Sequence, residues 1–499
     1  MLKFLEQQYF QDKYIYFCRS SKRKNMLEFG SIINGKQEFS GEWLSIHSPY
    51  SGKVVGRVSL ISPKELEKVI QQTHATKINL TRYERSNILN KMATVIDTKT
   101  NEIAKIITDE TGLCLKDTKY EASRVSDVLR FSAAKALDDD SEVFPCDITK
   151  NGRPRRIYTM RYPLNLISAI TPFNHPMNQV AHKIAPAIAT NNTVILKPSE
   201  KAPLCAYYFA QLALDCGLPP NMLNVVNGPI QETCDMLVTH PLVSMVSFTG
   251  SSSIGKYIAQ TAGYKKLVLE LGGSSAFLVL RDADIDEAVD VTIAGTFKNS
   301  AQRCTAIRRI LVDEEIADEY AEKLAAKVSK IKYGNPYDES TDMGTVITEA
   351  SAIEIEKRIN ETIAAGAKLL CGNKREGALL APTVLDFTKN DFPVCAKETF
   401  GPVVPIIRFK TLTEAIQIAN DTPYGLSGGV MSNHWPSIQR VITELETGTV
   451  NVNEAPSYRL EWTPFGGVKD SGLGYKEGVI ETMKAFTHVK TYSLPWDVA

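Results

Sequence analysis

The sequence predicts an α/β protein built around parallel sheets, and two observations support this. Short apolar runs rich in β-branched residues alternate with helical stretches along the chain of 499 residues. Most of these helical stretches span about 15–20 residues, a length that suits right-handed crossovers between parallel strands. A chain of this length exceeds one ordinary hydrophobic core, so we expect two or three domains.

Composition limits the class of protein. Hydrophobic residues make up 43% of the chain and charged residues 23%, as in a typical globular protein. Lysine plus arginine and aspartate plus glutamate both total 57, so the charge indicates neither nucleic acid nor a membrane as a partner. No apolar run approaches the ~20 residues of a membrane-spanning helix. The nine scattered cysteines indicate reduced thiols in the cytoplasm, and no Cys/His cluster suggests a metal.

The first predicted elements are short strands within 31–58, followed by helices from Pro63 to about Ala136. The first helix has a strong start signal, because Ser62 stands at the cap, Pro63 at the first helical position and Glu65 at the third. A basic strand follows at 153–162 (RPRRIYTMRY). Five apolar strands come next, with the sequences LISAITP, TVILKP, NVVNG, MVSFTG and LVLELGG. A second set begins with AFLVL and continues through RILV, GAKLL and VVPIIRF, and the tail KAFTHVKTYSL reads as a strand.

Cys304 is the first candidate for chemistry. It stands in NSAQRCTAIRR, with Arg303 beside it and Arg308 and Arg309 close by. Nearby cations favour the thiolate, which is the nucleophilic form of cysteine. The alternative is an inert core cysteine, the ordinary state of a buried thiol.

Glu270 and Asn174 are the next two candidates. Glu270 lies in the apolar run LVLELGG, where burial raises a carboxyl pKa toward the range of a general base. Asn174 follows a strand in ISAITPFNHP, and a side-chain amide at such a turn can donate to an oxyanion. The alternatives are a Glu paired inside the core and an ordinary turn Asn. His175 is either a ligand-binding group or a loop residue.

Two further motifs fit a nucleotide. In VILKPSE, Lys197 and Glu200 stand where a parallel strand ends, in a position to bind ribose hydroxyls. In SFTGSSSIG, Gly250 and Ser251 form a turn before a helix, where backbone N–H groups can meet a pyrophosphate. This turn differs from the GxGxxG fingerprint, so it is weak evidence alone.

Seven motifs in one order make a resemblance plain. FNHP, LKPSE, FTGS, LELGG, QRCTA, KETFGP and PFGGVKDSGLG resemble the aldehyde dehydrogenase superfamily, from about residue 30 to 495. The resemblance implies an open doubly wound cofactor domain, an α/β catalytic domain and a small β oligomerisation flap. The implied parts are an extension at 1–28, an NAD(P)-binding domain at 29–145 and 164–275, a catalytic domain at 276–468, and a flap at 146–163 and 469–499.

The resemblance also implies roles for the candidate residues. Cys304 would be the nucleophile, Asn174 an oxyanion donor, and Glu270 the base that activates water or assists the thiol. Because members that transfer the acyl group to coenzyme A typically lack this Glu, hydrolysis to a free acid is expected. The implied cofactor contacts are Thr171, Pro172, Lys197, Ser199, Glu200, Gly250, Ser251, Glu398 and Phe400. Glu200 favours NAD, since it would accept from a free 2′-hydroxyl and repel a 2′-phosphate, while NADP remains the alternative.

Four residues suggest an anionic aldehyde. Arg303 precedes the nucleophile, Arg124 and Arg459 lie in segments that line the family's substrate tunnel, and His175 adjoins Asn174. Guanidinium groups give bidentate contacts to phosphonate, phosphate or carboxylate. Thr305 is a further predicted substrate contact. The alternative is pairing of these arginines with local acids such as Glu121, Asp127 and Glu461.

The substrate prediction is phosphonoacetaldehyde, since QRCTA, TPFGGVKDSGLGYKEGVIE and VKTYSLPW are similar to the phosphonoacetaldehyde dehydrogenase branch. Lactaldehyde, succinate semialdehyde and glyceraldehyde 3-phosphate are the alternatives. A non-enzymatic role is disfavoured because Cys304, Glu270 and Asn174 are all present. The family's flap implies a homodimer or homotetramer. Segment 1–25, which is basic, predicts a mobile extension, a targeting or nucleic-acid-binding arm, or a start codon placed ahead of Met26.

Overall fold

The computed structural model describes residues 26–474 and 477–496 and confirms the predicted α/β class. One seven-stranded sheet forms the first lobe. Its five neighbouring parallel strands continue into two antiparallel strands at one edge. In spatial order the strands are Lys266–Glu270, Met245–Thr249, Leu166–Ile170, Thr193–Lys197, Leu223–Val225, Ser31–Ile33 and Lys36–Glu38.

A second seven-stranded sheet forms the other lobe. It is parallel except for one antiparallel strand at its edge. In spatial order its strands are Lys368–Cys371, Thr383–Asp386, Val403–Phe409, Ile307–Asp313, Ser275–Val279, Ser427–Met431 and Thr449–Val452.

Smaller sheets complete the strand pairing. The flap sheet is antiparallel, with the order Thr487–Pro495, Arg155–Pro163 and Val143–Pro145. The others are Leu27–Phe29, Val54–Ser59 and Trp43–His47 in one sheet, Arg375–Glu376 with Leu379–Leu380, and Tyr424–Gly425 with Val468–Lys469.

Helices cover the sheets of both lobes. Those of the first lobe are Pro63–Ala75, Arg82–Thr98, Thr100–Thr111, Leu115–Lys135, Asn178–Ala189, Leu204–Asp215, Ile230–Thr239, Ser252–Thr261 and Val479–Ala485. Those of the second are Ile285–Phe297, Ala317–Val328, Glu349–Ala364, Pro393–Ala396, Leu412–Asn420 and Trp435–Glu444, with a short 3₁₀ segment at Lys298–Ala301. Among the described residues, no helix is long and apolar enough to cross a membrane.

The predicted helix start at Ser62 is confirmed in detail. The Ser62 hydroxyl accepts from the Glu65 amide at 3.3 Å, and the Glu65 carboxylate accepts from the Ser62 amide at 2.8 Å. This reciprocal pair satisfies two backbone donors that the first helical turn leaves free. The start of this helix was therefore predictable from the local sequence alone.

Some segments lie elsewhere than the predicted boundaries imply. Val143–Pro145 pairs with Arg155–Pro163 and so belongs to the flap sheet, although the cofactor domain was predicted to run to residue 145. Val479–Ala485 is a helix whose Val479 and Met483 are buried in the core of the first lobe, because its apolar face packs on Asn178–Ala189. It therefore lies outside the flap sheet to which 469–499 was assigned.

The predicted N-terminal extension lies mostly outside the described residues. Residues 1–25 of this segment are not described. Residues 27 and 28 were assigned to the extension, but Leu27–Phe29 is a strand parallel to Val54–Ser59. Backbone pairing with Val54–Ser59 explains why residues 27 and 28 belong to the folded chain.

Candidate active site

The ends of the parallel strands in the first sheet bring the predicted cofactor residues to one edge. Lys197 and Glu270 close their strands, and Thr171 and Gly250 follow directly after theirs. Because these strands are parallel and adjacent, their carboxyl ends share one side of the sheet. An open crevice at this edge is the usual place for a ligand in such sheets.

Cys304 lies on the loop that leads into the strand Ile307–Asp313, and it is half-buried. An added β-carbon on Gly273 would stand 2.5 Å from the Cys304 carbonyl oxygen, so the LELGG loop touches the backbone of the candidate nucleophile. The Asn174 amide donates to the carbonyl of Gln302 at 2.9 Å. The backbone around Cys304 thus contacts both the loop after Glu270 and the side chain of Asn174.

Burial dominates the titration of Cys304. It raises the pKa of the thiol to about 12, while Arg459 acts to lower it and Glu477 to raise it. The charge that does most to favour the thiolate is that of Arg459, which is distant in sequence. The guanidinium of Arg303 donates to the carbonyls of Ala294 and Gly295 at 3.0 and 2.7 Å, at the end of a helix.

Arg308 and Arg309 also donate hydrogen bonds to backbone carbonyls. Arg308 donates to the carbonyls of Ala301 and Arg303 at 2.7 and 3.0 Å. Arg309 donates to carbonyls at Ser274, Ile418 and Ala419 and to the side chain of Asn390. Both arginines therefore hold backbone segments around the site in place.

A left-handed turn precedes the Cys304 loop. Asn299, Ser300 and Ala301 have φ values of 61°, 51° and 58° in succession. Each residue with a β-carbon costs about 1–2 kcal/mol in this region, so surrounding contacts must hold the turn. One such contact is the Asn299 amide, which donates to the Asp117 carboxylate at 2.7 Å.

Glu270 is buried, with 3% of its surface exposed. Neither carboxylate oxygen has a hydrogen-bond partner among the described residues. Burial raises the pKa of Glu270 well above its usual value, and Glu477 raises it further while Lys183 opposes the shift. The raised pKa matches the sequence prediction and suits a general base.

The sequence analysis missed Lys183 and Glu477, which act electrostatically on Glu270. Lys183 is buried and donates to the hydroxyls of Ser247 and Thr249 at 3.2 and 2.8 Å. Burial lowers the pKa of Lys183. The signal for Lys183 was a lysine within the apolar helical segment AHKIAPAIA, where a charge needs a reason.

The predicted cofactor residues fit a dinucleotide at the strand edge. Thr171 Oγ1 and Ser252 Oγ are buried polar atoms without a partner among the described residues, as expected where a polar ligand binds. Ser251 caps the helix Ser252–Thr261, whose N-terminus suits a phosphate. A β-carbon at Gly250 would stand 2.4 Å from the Phe248 ring, so a larger residue there would require that ring to move.

The other predicted cofactor residues lie around the same crevice. Lys197 Nζ stands 3.1 Å from Glu200 Oε2. Glu398 accepts from the Gly273 amide at 3.0 Å, which brings the second lobe against the LELGG loop. The ring of Phe400 contacts that of Phe173 edge to face, with centroids 6.0 Å apart. Pro172 is half-buried next to Thr171, and Ser199 is buried between Lys197 and Glu200.

Two of the three predicted substrate arginines have carboxylate partners. Arg124 Nε lies 2.5 Å from Glu461, and Arg459 Nη2 lies 2.9 Å from Glu477. The alternative of pairing with Glu461 therefore holds for Arg124. Arg303 has no carboxylate at ion-pair distance among the described residues, although the charge of Asp117 acts on it.

His175 lies among these arginines. Burial lowers its pKa well below the usual value, and Arg124, Arg303 and Arg459 lower it further. Its Nδ1 stands 2.9 Å from the Asn174 carbonyl oxygen and 3.3 Å from Asn299 Nδ2. His175 is thus neutral at ordinary pH and contributes a hydrogen-bonding group instead of a charge. Thr305, the residue that follows Cys304 in the chain, is buried.

The fold and this arrangement agree with a family match. Residues 36–492 match the aldehyde dehydrogenase family, so the chain belongs to that family and is an NAD(P)-dependent oxidoreductase acting on a small aldehyde. It is similar to lactaldehyde dehydrogenase from Methanococcus aeolicus, with 36% identity over 91% of this chain and 98% of the relative. It is also similar to 3-sulfolactaldehyde dehydrogenase from Priestia aryabhattai, with 35% identity over 90% of this chain and 94% of the relative.

A solved structure gives the same result. The NADP-dependent glyceraldehyde-3-phosphate dehydrogenase from Bacillus halodurans, complexed with NADP, superposes with a TM-score of 0.91 at 34% identity. The likeness covers 94% of this chain and 100% of that one. The predicted superfamily is therefore confirmed, while the branch and the roles of single residues stay predictions.

Proposed function

We propose that this chain oxidises a short anionic aldehyde to the corresponding acid through a thioester on Cys304. The observation that carries the proposal is the meeting of three segments: Asn174 donates to Gln302, and Gly273 abuts Cys304. Glu270 ends the strand that leads to Gly273. A nucleophile, an oxyanion donor and a base are thus on adjoining segments.

The residues divide the reaction into steps. The Cys304 thiol gives its proton to solvent water as its sulfur attacks the aldehyde carbon, and the Asn174 side-chain amide and the Cys304 backbone N–H donate to the resulting oxyanion. The nicotinamide, when bound, supplies the acceptor for the hydride that leaves this carbon. Glu270 then takes a proton from water as the water oxygen attacks the thioester carbon, and it returns this proton to the departing sulfur, which releases the acid and the Cys304 thiol. A carboxyl with a raised pKa suits this proton transfer near neutral pH.

The anionic substrate is supported by Arg303, because Arg124 and Arg459 already have carboxylate partners and His175 is neutral. Arg303 makes no contact with a carboxylate at ion-pair distance among the described residues, and its buried Nε has no partner there. A half-buried cation in this state favours an anionic ligand. The 3-sulfolactaldehyde and glyceraldehyde-3-phosphate dehydrogenases described above act on aldehydes with such a group. Phosphonoacetaldehyde belongs to the same chemical class, and lactaldehyde is the neutral alternative.

A substrate panel with the variant Arg303→Leu tests the anionic preference. The wild type should favour 3-sulfolactaldehyde, glyceraldehyde 3-phosphate or phosphonoacetaldehyde over propanal in kcat/KM. The variant should lose about 10- to 100-fold for the anionic substrate, mainly through KM, because a charge-assisted hydrogen bond contributes about 1.5–3 kcal/mol. Propanal is the internal control, and its kcat/KM should change by less than about threefold. Equal losses for the anionic substrates and for propanal would show that Arg303 shapes the site without recognising the charge of the substrate.

Cofactor choice gives a second test. Glu200 lies 3.1 Å from Lys197, at the end of the strand where an adenosine ribose binds in such sheets. We expect NAD to exceed NADP in kcat/KM, because the Glu200 carboxylate repels a 2′-phosphate. Glu200→Gln should move the NADP/NAD ratio toward NADP by about tenfold, which corresponds to about 1.4 kcal/mol. An unchanged ratio in parallel assays would remove Glu200 from cofactor selection.

We also propose that the flap sheet is the assembly surface of a homodimer or homotetramer. Several apolar side chains on its strands are exposed, among them Val143, Phe144, Met160, Tyr492 and Leu494. Exposed strands with apolar side chains are commonly covered by a neighbouring subunit. A cytoplasmic location stays a prediction from the scattered free cysteines.

A further inference from the structure

The helix Leu115–Lys135 carries three charged residues on one face. Asp117, Glu121 and Arg124 stand four and three positions apart, a spacing that places side chains in one row along a helix. Each reaches a different part of the site. Asp117 contacts the segment before Cys304, Glu121 contacts the segment after Asn174, and Arg124 contacts Glu461.

The Asp117 carboxylate holds the left-handed turn before the nucleophile. It accepts from the Asn299 amide at 2.7 Å, at the first of the three positive φ values. The Asn299 side chain in turn donates to the Asn174 carbonyl at 2.8 Å. One residue therefore links Asp117 to both the Cys304 loop and the Asn174 loop.

The Glu121 carboxylate holds the loop that contains Asn174. Its Oε1 accepts from the amides of Met177 and Asn178 at 2.9 and 3.0 Å. These amides open the helix Asn178–Ala189, which has no capping side chain from its own N-cap residue. Glu121 thus replaces the missing cap and fixes the chain three residues after Asn174.

Glu121 is buried and Asp117 is half-buried. Glu121 is 2% exposed, and burial raises its pKa to about 7. Burial also raises the pKa of Asp117. A buried carboxyl is costly, and a neutral residue could fill the same space, so its use at both loops indicates a demand for defined geometry.

We propose that Asp117 and Glu121 are positioning residues, which set the distance between the Cys304 sulfur and the Asn174 amide by holding their two loops on one rigid helix. This inference rests on the proposed function of Cys304 and Asn174. Neither carboxyl contacts the reacting atoms. Their effect is on the alignment of the nucleophile with the oxyanion donor, for which small displacements cause large losses of rate.

Variants that remove or keep the acceptor test the proposal in the full-length enzyme. Asp117→Leu and Glu121→Met remove the carboxyl oxygens at similar volume, whereas Asp117→Asn and Glu121→Gln retain an oxygen that can accept from the same amides. Asp127→Ala is the matched control, because Asp127 is an exposed carboxyl on the same helix. Active sites are counted by iodoacetamide labelling of Cys304, so that kcat refers to intact thiols only.

The Leu and Met variants should lose about 10- to 100-fold in kcat per labelled site, with the aldehyde KM and NADH affinity by fluorescence within about threefold of wild type. The Asn and Gln variants should recover most of this loss, and the control should match wild type. A merely structural role would lower the melting temperature and the number of labelled sites while kcat per site stayed unchanged, and that result would overturn the proposal.

The two positions are independent, so a variant that fails to fold at one leaves the other as the test. If both non-accepting variants fail to fold, Asp117→Glu and Glu121→Asp, which keep the acceptor but change its reach by one methylene, are the test. Full activity per site in both would overturn the proposal, and loss of kcat per site in either supports it. The proposed function fails separately, through retained turnover in a chain without the Cys304 sulfur.

Discussion

Replacing Cys304 with alanine is expected to reduce aldehyde oxidation to the background rate. The sulfur is the atom that forms the bond to substrate in the proposed mechanism, and the other residues of the site act on that bond. Residues that act as one unit lose most of their effect when any member is removed, so we expect a loss of at least about 10⁴-fold in kcat. The loss of kcat is measured by NADH absorbance with saturating aldehyde and cofactor.

The fold should survive this change. Cys304 is half-buried, and its thiol makes no hydrogen bond among the described residues. Cys371→Ala is the matched control, since Cys371 is another half-buried free thiol, located on an edge strand of the second sheet. The control should keep its turnover within about twofold. Undiminished oxidation by the Cys304→Ala enzyme would refute the thioester mechanism altogether.

Glu270→Gln is expected to slow steady turnover by about 10²- to 10⁴-fold, the range of general-base catalysis. The amide keeps the shape of the side chain but cannot take a proton from water. Acylation of Cys304 should continue, so each site should release one NADH in a rapid burst and then stall. Stopped-flow fluorescence measures the burst, and mass spectrometry should find the acyl group on the peptide that contains Cys304.

The pH profile follows from the direction of the Glu270 shift. Burial raises its pKa, so the carboxyl is protonated and inactive as a base over a wider range than in water. Wild-type deacylation should rise with pH as this proton leaves, and the Glu270→Gln profile should lack that rise. Glu315→Gln, at an exposed position, serves as the control. A variant with normal turnover and the wild-type profile would exclude Glu270 as the base.

Local signals in the sequence predicted much of the fold. The cap at Ser62, the apolar strand runs and the helical spacings depend on neighbouring residues, so a sequence contains them directly. The candidate catalytic residues also stood in recognisable motifs. Glu477 had no such signal, because its relation to Glu270 exists only once the chain folds back onto the first lobe.

The arginines show the limit of reasoning from proximity in sequence. Arg303 adjoins Cys304 in the chain, yet its guanidinium turns to the carbonyls at the end of a helix. The left-handed turn at residues 299–301 could not be predicted either, since it contains no glycine to indicate positive φ. Both features depend on contacts with distant segments, such as the one from Asp117.

The pairing of Thr487–Pro495 with Arg155–Pro163 has a consequence for biosynthesis. At about 5–20 residues per second, a ribosome needs roughly 15–70 s to travel from the earlier strand to its partner. During that interval the nascent polypeptide presents an open ladder of peptide groups with apolar neighbours, a template for aggregation. This edge therefore stays open until Thr487–Pro495 has been synthesised, and protection by a chaperone would matter most in that window.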